Sequence, residues 1–118
     1  MNKVAIFVFA DTEGMGEIGR AVNALITARE FKEAGDEVKI IFDGAGTKWI
    51  GTFADPGHKY HSLWTTVRDC VTGACEYCAN AFGVTEAVQA AGISLSADYD
   101  GHPSFRQLVS DGWQVLTF

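Results

Sequence analysis

Blocks of apolar residues alternate along the chain with amphipathic stretches, in an order that predicts strands separated by helices. The run Val4 to Ala10 is continuously apolar and rich in β-branched and aromatic residues, as in a strand covered on both faces. From Glu17 to Ala34 apolar residues recur every three or four positions, which predicts a helix that ends at Gly35. Glu37 to Asp43 predicts a second strand. The opening third is therefore expected to form a right-handed βαβ unit.

The remaining pattern is weaker but continues the alternation. It first predicts a loop at 44–57 with a short helical turn at 47–53, and then a helix from His58 or Lys59 to Asp69. A short strand at Val71–Tyr77 follows, and after it one helix, or two that are broken near Gly83. The last two predicted elements are a helix with Pro103 at its first position and a strand at Trp113–Phe118. At 118 residues the chain is long enough for one core and too short for two. We expect a single α/β domain over residues 1–118, with a mostly parallel sheet of about five strands and helices on both faces, layered as in flavodoxin.

Two cysteines follow the third predicted strand in the stretch "ACEYCANAFGV". Reactive groups in such sheets gather beyond the carboxyl ends of the strands, and Cys75 and Cys78 fall there. A thiol at the start of a helix faces unpaired N–H groups and the positive end of the helix dipole, both of which favour the thiolate. The pattern therefore predicts a low-pKa nucleophile at this pair, whereas Cys70 is expected to pack as a small hydrophobe.

A glycine-rich turn precedes the first predicted helix. Gly14, Gly16 and Gly19 spell GxGxxG, and Asp43 ends the next strand as a dinucleotide-binding acid would. Two carboxylates in the turn before these glycines oppose a phosphate, and the chain is short for a dinucleotide domain. We expect a flexible turn and helix packing here, with Gly14 and Gly16 kept as candidates for binding a smaller anion.

Histidines also occur at spacings that suit a metal. His58 and His61, taken with Cys75 and Cys78, would make a zinc set of two imidazoles and two thiolates. A structural zinc site usually organises a fold that cannot hold itself together, which this chain does not need. The simpler interpretation places both histidines in the first turn of a helix, facing solvent.

The stretch "SADYDGHPSF" brings two carboxylates close to an imidazole. Asp98, Asp100 and His102 could support general acid/base chemistry. However, Asp-Gly is a turn signal, and His102 stands just before Pro103, where a helix is expected to begin. His102 is therefore a second-rank catalytic candidate.

Composition narrows the classes of partner and compartment. Nine Lys and Arg residues stand against fifteen Asp and Glu residues, for a formal net charge of −6. This field repels phosphate backbones and anionic lipid, so direct nucleic-acid binding is not expected. The seven-residue apolar run near the start is too short to span a membrane. Three cysteines are an odd count that favours a reducing compartment, so we expect a cytoplasmic protein. We also expect no metal or organic cofactor.

The chain resembles the DsrE/DsrF-like sulfur-relay family over nearly its whole length. The resemblance rests on "KVAIFVFA", on "ACEYCANAFGV" followed by "AAGI", and on the closing "GWQVLTF". Its most specific element is a cysteine followed eight residues later by a glycine and an aliphatic residue, here Cys75, Gly83 and Val84. The resemblance implies that Cys75 carries sulfur as a persulfide between donor and acceptor proteins, and that the chain assembles as a dimer, trimer or hexamer.

Cys78 and the following "NAF" depart from the basic pair that several relay members have before the glycine. The missing basic side chains remove a source of charge for steadying a persulfide, and Cys78 becomes a candidate resolving thiol. Two alternatives stay open: a non-catalytic subunit that binds a small ligand or partner, and a dithiol/disulfide oxidoreductase. Against the second, the CxxC follows the third strand and no proline is evidently placed to face it. Tyr77 would either shield the site or meet a neighbouring subunit.

Overall fold

All neighbouring strands of the sheet run parallel in the computed structural model, which describes residues 1–118. The strands are β1 (Lys3–Val8), β2 (Glu37–Phe42), β3 (Val71–Cys75), β4 (Leu95–Ser96) and β5 (Gln114–Thr117), in the spatial order β4-β3-β2-β1-β5. The helices are α1 (Met15–Glu33), α2 (Trp49–Ala54), α3 (His61–Val67), α4 (Glu76–Ala81), α5 (Thr85–Ala90) and α6 (Phe105–Ser110). The expected parallel α/β sheet of five strands is confirmed. None of these helices has both the length and the apolar content needed to cross a membrane.

The two faces of the sheet are covered unequally. Val4, Ile6 and Val8 of β1 point into the larger core, to which helices α1 to α5 all contribute buried residues. Ala5 and Phe7 point to the opposite face, into a smaller cluster that receives a buried residue from α6. This two-sided burial explains why the β1 sequence is continuously apolar rather than alternating.

The predicted bounds of α1, β1, β2, β3 and β5 agree with the structure to within two residues. The region after β2 is more ordered than expected, because a 3₁₀ turn at Gly44–Lys48 leads directly into α2. Helix α3 is shorter than predicted: it begins at His61 and gives way to a 3₁₀ turn at Arg68–Cys70. His58 therefore precedes this helix.

The C-terminal third differs from prediction at two elements. Pro103 was expected at the first helical position, which is wrong: α6 begins at Phe105, and the Ser104 hydroxyl caps it by accepting from the Gln107 N–H at 3.1 Å. Strand β4 was not located from the sequence, because it has only two residues and no apolar alternation. It pairs with the end of β3 and completes the sheet edge beside Cys75.

A glycine separates α4 from α5, which settles the choice between one helix and two. Gly83 has a φ of +69°, and its N–H donates to Asn80 O while the next N–H, of Val84, donates to Ala79 O. This is the hydrogen-bond pattern of a glycine C-cap, and Val84 packs against the larger core as such caps favour. The glycine and aliphatic pair is thus the stop signal of the short helix that carries the cysteines.

Another glycine lets the turn after β2 approach the end of β1. A Cβ atom added to Gly46 would lie 1.9 Å from the carbonyl oxygen of Val8. The turn begins at Asp43, whose own N–H donates to that carbonyl at 2.9 Å and whose carboxylate accepts from Gly44 N–H at 2.8 Å. Close contact of the two strand ends therefore fixes the Asp43 carboxylate at the carboxyl edge of the sheet.

Candidate functional site

Cys75 is both the last residue of β3 and the N-cap of α4. Its Sγ accepts a hydrogen bond from the Cys78 N–H at 3.4 Å, in the place where a serine or aspartate oxygen commonly caps a helix. The side chain is fully buried, whereas Cys78, one turn further on, is half-buried. The CxxC spacing thus places both sulfurs at the start of the same helix.

A tight turn at Tyr99–His102 covers this helix start. Asp100 and Gly101 both have positive φ, 51° and 81°, and the flanking Tyr99 and His102 exchange two backbone hydrogen bonds of 2.8 Å. This is the type I′ geometry that Asp-Gly favours, so the expected turn chemistry is confirmed. The turn joins α4 through the Gly101 carbonyl, which accepts from the Tyr77 N–H at 3.0 Å.

The same turn delivers His102 to Cys75. The Nδ1 atom of His102 lies 3.3 Å from Cys75 Sγ, and the Gly101 carbonyl oxygen lies 3.8 Å from it. The ring can accept a proton from the thiol, or donate one to the thiolate, according to its tautomer. His102 therefore both closes the turn and contacts the Cys75 thiol, so the turn chemistry does not compete with a role in the site.

Asp43 approaches the second cysteine. The Cys78 thiol donates to Asp43 Oδ1 at 3.4 Å, and only 6% of Asp43 is exposed. The sequence suggested Asp43 only as the acid of a dinucleotide-binding motif, and its contact with Cys78 was missed. Both residues follow adjacent parallel strands, β2 and β3, which is the signal from which their proximity could have been inferred.

Burial controls the acidity of the inner thiol. The pKa of Cys75 is raised to about 12, and burial is the largest cause. The hydrogen bond from the Cys78 N–H lowers this pKa, whereas the Cys78 side chain and the negative charge of Asp43 contribute to raising it. The predicted low pKa is therefore wrong for Cys75. A single N–H at 3.4 Å does not offset the loss of water around the sulfur.

A cavity of about 820 Å³ opens beside the pair. The cavity is lined by Cys78, His102 and Asp43. Cys75 has no exposed surface and lies behind them, in contact with Cys78 and His102. The other wall residues include Phe9, Tyr99, Phe105 and Arg106. A molecule in the cavity thus meets Cys78 and His102 before Cys75.

The sulfurs of Cys75 and Cys78 and a ring nitrogen of His102 all lie within 4.8 Å of one another. His58 and His61 do not join this group. The His58 ring packs edge-on against Phe53, 5.8 Å between centroids, and His61 Nδ1 contacts the Phe53 carbonyl at 2.8 Å. The zinc set that combined these two histidines with the cysteines is therefore not assembled by the fold.

In the glycine-rich turn before α1, carboxylates of the chain itself accept the backbone hydrogen bonds. The Asp11 N–H donates to Glu17 Oε2 at 2.9 Å, across the turn that contains Gly14. A Cβ added to Gly16 or Gly19 would meet no atom within 4 Å, so neither glycine is there for a close contact. The carboxylate that reaches across this turn is that of Glu17, whereas the two carboxylates expected to oppose a phosphate were those of Asp11 and Glu13. The expected helix packing does not explain Gly16 and Gly19.

Two other sequence positions have clear places. Cys70 is buried within the larger core, so its predicted packing role is confirmed. Tyr77 is 61% exposed, and its ring centroid lies 4.9 Å from that of His102. Tyr77 therefore covers the outer side of the histidine.

A model of the DsrE/DsrF-like family matches residues 3–118. An uncharacterised protein of Methanocaldococcus jannaschii is 33% identical over 95 residues, which span 80% of this chain and 77% of the relative. A structure of a conserved protein of unknown function from Bacteroides thetaiotaomicron superposes with a TM-score of 0.62 at 18% identity, covering 99% of this chain and 95% of that one. The last comparison shows a shared fold.

Proposed function

Because the chain belongs to the DsrE/DsrF-like family, we propose that it is a sulfur carrier that accepts sulfane sulfur as a persulfide on Cys75. Family membership supports a role related to sulfur relay. The observation that carries the finer assignment is the 3.3 Å contact between Cys75 Sγ and His102 Nδ1, beside a cavity that a donor can enter. Persulfide transfer needs a thiolate and a path to it, and little other machinery.

In the first step His102 takes the proton of the Cys75 thiol, because its Nδ1 atom lies 3.3 Å from Cys75 Sγ. The thiolate attacks the outer sulfur of a donor persulfide, R–S–SH. A new S–S bond forms on Cys75 while the donor's own S–S bond breaks, and the departing thiolate R–S⁻ recovers the proton from His102. The donor loses one sulfur atom and Cys75 gains it.

In the second step Cys78 acts as the resolving thiol. Its sulfur lies within 4.8 Å of Cys75 Sγ, and its proton already points to Asp43 at 3.4 Å. Attack on Cys75 Sγ forms an intramolecular disulfide and expels the outer sulfur as HS⁻, so the pair is oxidised by two electrons and the sulfane sulfur is reduced. A thiol reductant restores the dithiol. When an acceptor thiolate attacks the outer sulfur first, the sulfur is passed on instead.

Family membership and composition support a proposal for the setting of this chemistry. We expect donor and acceptor proteins as partners, a homo-oligomeric assembly, and a cytoplasmic location where thiols stay reduced. The net charge of −6 disfavours a direct encounter with nucleic acid. Basic residues near the site are few, and Arg106 on the cavity wall is placed to attract an anionic donor.

Intact-protein mass spectrometry tests the proposal. Reduced protein is incubated with a low-molecular-weight persulfide donor in the presence of a metal chelator, for the wild type, Cys75→Ser, Cys78→Ser and the control Cys70→Ser. The wild type and Cys70→Ser should gain whole sulfur atoms that dithiothreitol removes, and Cys75→Ser should gain none. Cys78→Ser should hold its persulfide longer, because the resolving step is lost.

Other outcomes select the alternatives. Loading that survives in Cys75→Ser and disappears in Cys78→Ser would move the acceptor role to Cys78. A dithiol/disulfide oxidoreductase is the second candidate, because the two sulfurs lie within 4.8 Å of each other. It requires exchange with disulfide substrates that both serine variants abolish, with no sulfur uptake by the wild type. If neither uptake nor exchange occurs, ligand or partner binding at the cavity takes first place.

A further inference from the structure

We propose that Cys75, Cys78 and His102 form a binding site for one zinc ion, with a fourth coordination position open to the cavity. This inference goes beyond sulfur transfer and depends on ligand geometry alone. Thiolate sulfur and imidazole nitrogen are the ligands that Zn²⁺ prefers in proteins, and a set of two cysteines and one histidine with a free position is an established zinc arrangement.

The distances between the ligand atoms suit a tetrahedral ion. With Zn–S of about 2.3 Å and Zn–N of about 2.0 Å, two sulfurs on one ion lie about 3.8 Å apart, and a sulfur and a nitrogen about 3.5 Å apart. Cys75 Sγ and His102 Nδ1 lie 3.3 Å apart, and all three ligand atoms lie within 4.8 Å of one another. Closing the largest gap that this limit allows needs a movement of about 1 Å.

The backbone already holds the three ligands in place. Cys75 sits at the junction of β3 and α4, and Cys78 follows one helical turn later, at the C-x₂-C spacing common in zinc sites. His102 is fixed by the hydrogen-bonded Tyr99–His102 turn, which is itself joined to α4 through the Gly101 carbonyl. No folding of a loop around the metal is required.

The open position faces the cavity that Cys78 and His102 line. Asp43 also lines it, with Oδ1 at 3.4 Å from Cys78 Sγ, but this oxygen does not belong to the group of mutually close ligand atoms. Asp43 would therefore act as an outer-shell carboxylate beside the Cys78 ligand, as carboxylates around zinc sites do.

Metal binding has a defined charge balance. Zn²⁺ displaces one proton from each thiol and binds the two thiolates and the neutral imidazole, so the metal and its three protein ligands carry no net charge. Both sulfurs are then bound to zinc, and neither is free to attack a donor persulfide. Zinc binding and sulfur uptake are consequently mutually exclusive at this site.

Cobalt spectroscopy with zinc competition tests the site. Reduced, metal-free protein is titrated with Co²⁺ and then Zn²⁺, and zinc affinity is measured against a chromophoric chelator. The wild type should bind one Co²⁺ with thiolate-to-metal charge transfer and the strong visible bands of a tetrahedral ion, which Zn²⁺ removes. Cys75→Ser, Cys78→Ser and His102→Ala should each lose more than the roughly 10- to 100-fold in affinity that an outer-shell change costs.

The matched controls are Cys70→Ser and His61→Asn, which alter a thiol and an imidazole outside the site and should leave zinc affinity unchanged. Circular dichroism confirms that each variant folds. Failure of the wild type to bind one equivalent overturns the proposal, as does undiminished affinity in folded His102→Ala. Because sulfur loading is measured with chelator present, zinc binding without loading removes only the carrier function, and loading without zinc binding removes only the metal site.

Discussion

At the residue scale, Cys75 combines two roles with opposite requirements. As the N-cap of α4 it accepts the Cys78 N–H at 3.4 Å, and as the inner thiol of the site it is fully buried beside His102. Sulfur is a weak acceptor compared with a hydroxyl oxygen. The chain therefore has a thiol at a position where serine would make the better cap, which is what a chemical role for this residue predicts.

Replacing this cap separates stability from chemistry. Cys75→Ser should be at least as stable as the wild type, because the hydroxyl can accept the same N–H and has Gly101 O and His102 Nδ1 nearby. Cys75→Ala should be less stable than Cys75→Ser by about 1 kcal/mol, since the N–H loses its partner. Urea unfolding of the two variants measures the difference. Equal stabilities of the two variants would mean that a side-chain acceptor at position 75 contributes nothing as a cap.

At the scale of elements, the site depends on where short segments stop. The glycine C-cap at Gly83 ends α4, and the 3₁₀ turn at Gly44–Lys48 carries Asp43 to the edge of the sheet. The turn reaches this place only because Gly46 has no side chain facing the Val8 carbonyl. The end of β1 and the start of the turn are thus packed backbone against backbone.

Gly46→Ala should therefore be strongly destabilising. The added Cβ would lie 1.9 Å from a carbonyl oxygen of the central strand region, which a side-chain movement cannot relieve. We expect a loss of about 3 kcal/mol or more in the free energy of unfolding, at the upper end of overpacking effects. Denaturant unfolding checks the loss, and a decrease below about 1 kcal/mol would contradict this account of the turn.

Gly19→Ala is the matched control. This residue lies inside α1, and the new Cβ would meet no atom within 4 Å. The variant should gain about 0.5–1 kcal/mol from helix propensity. If the free energy of unfolding falls in Gly46→Ala and rises in Gly19→Ala, the loss at Gly46 comes from the close approach of the backbone and not from a general effect of replacing glycine by alanine.

At the scale of the whole molecule, the surface retains large apolar side chains. Apart from the N-terminal Met1, the most exposed are Met15, Tyr77, Phe82, Tyr99, Phe105 and Val109. Tyr77 covers His102, and Tyr99 and Phe105 line the cavity, so several of them surround the site. Exposed aromatic groups of this kind are typical of surfaces that meet a partner.

Self-association should accordingly be measurable. Light scattering with size-exclusion chromatography should give a mass corresponding to two, three or six chains of 12.7 kDa. Burial of the exposed aromatic residues supplies the driving force. A mass of one chain across a dilution series from high concentration would contradict the expected homo-oligomer.

Prediction from sequence succeeded where structure is local and failed where it is not. The strand predicted at Val4–Ala10 and the helix predicted from Glu17 were located to within two residues. The reason is that the apolar pattern of a buried strand or helix can be recognised from a short run of consecutive residues. Strand β4 was missed because its two residues carry no periodicity. The Pro103 assignment was wrong because the adjacent Ser104 is the competing cap.

For the site, the sequence by itself determined the pair of thiols at one helix start and the Asp-Gly turn, and it marked Gly83 as the place where one helix could break into two. Each of these depends on contacts within a few residues. Only the tertiary structure chose His102 over His58 and His61 as the imidazole beside Cys75, and brought Asp43 to Cys78 across a separation of 35 residues. It also reversed the expected acidity of Cys75: the helix dipole that favours a thiolate is local, whereas the burial that raises the pKa to about 12 exists only in the assembled fold.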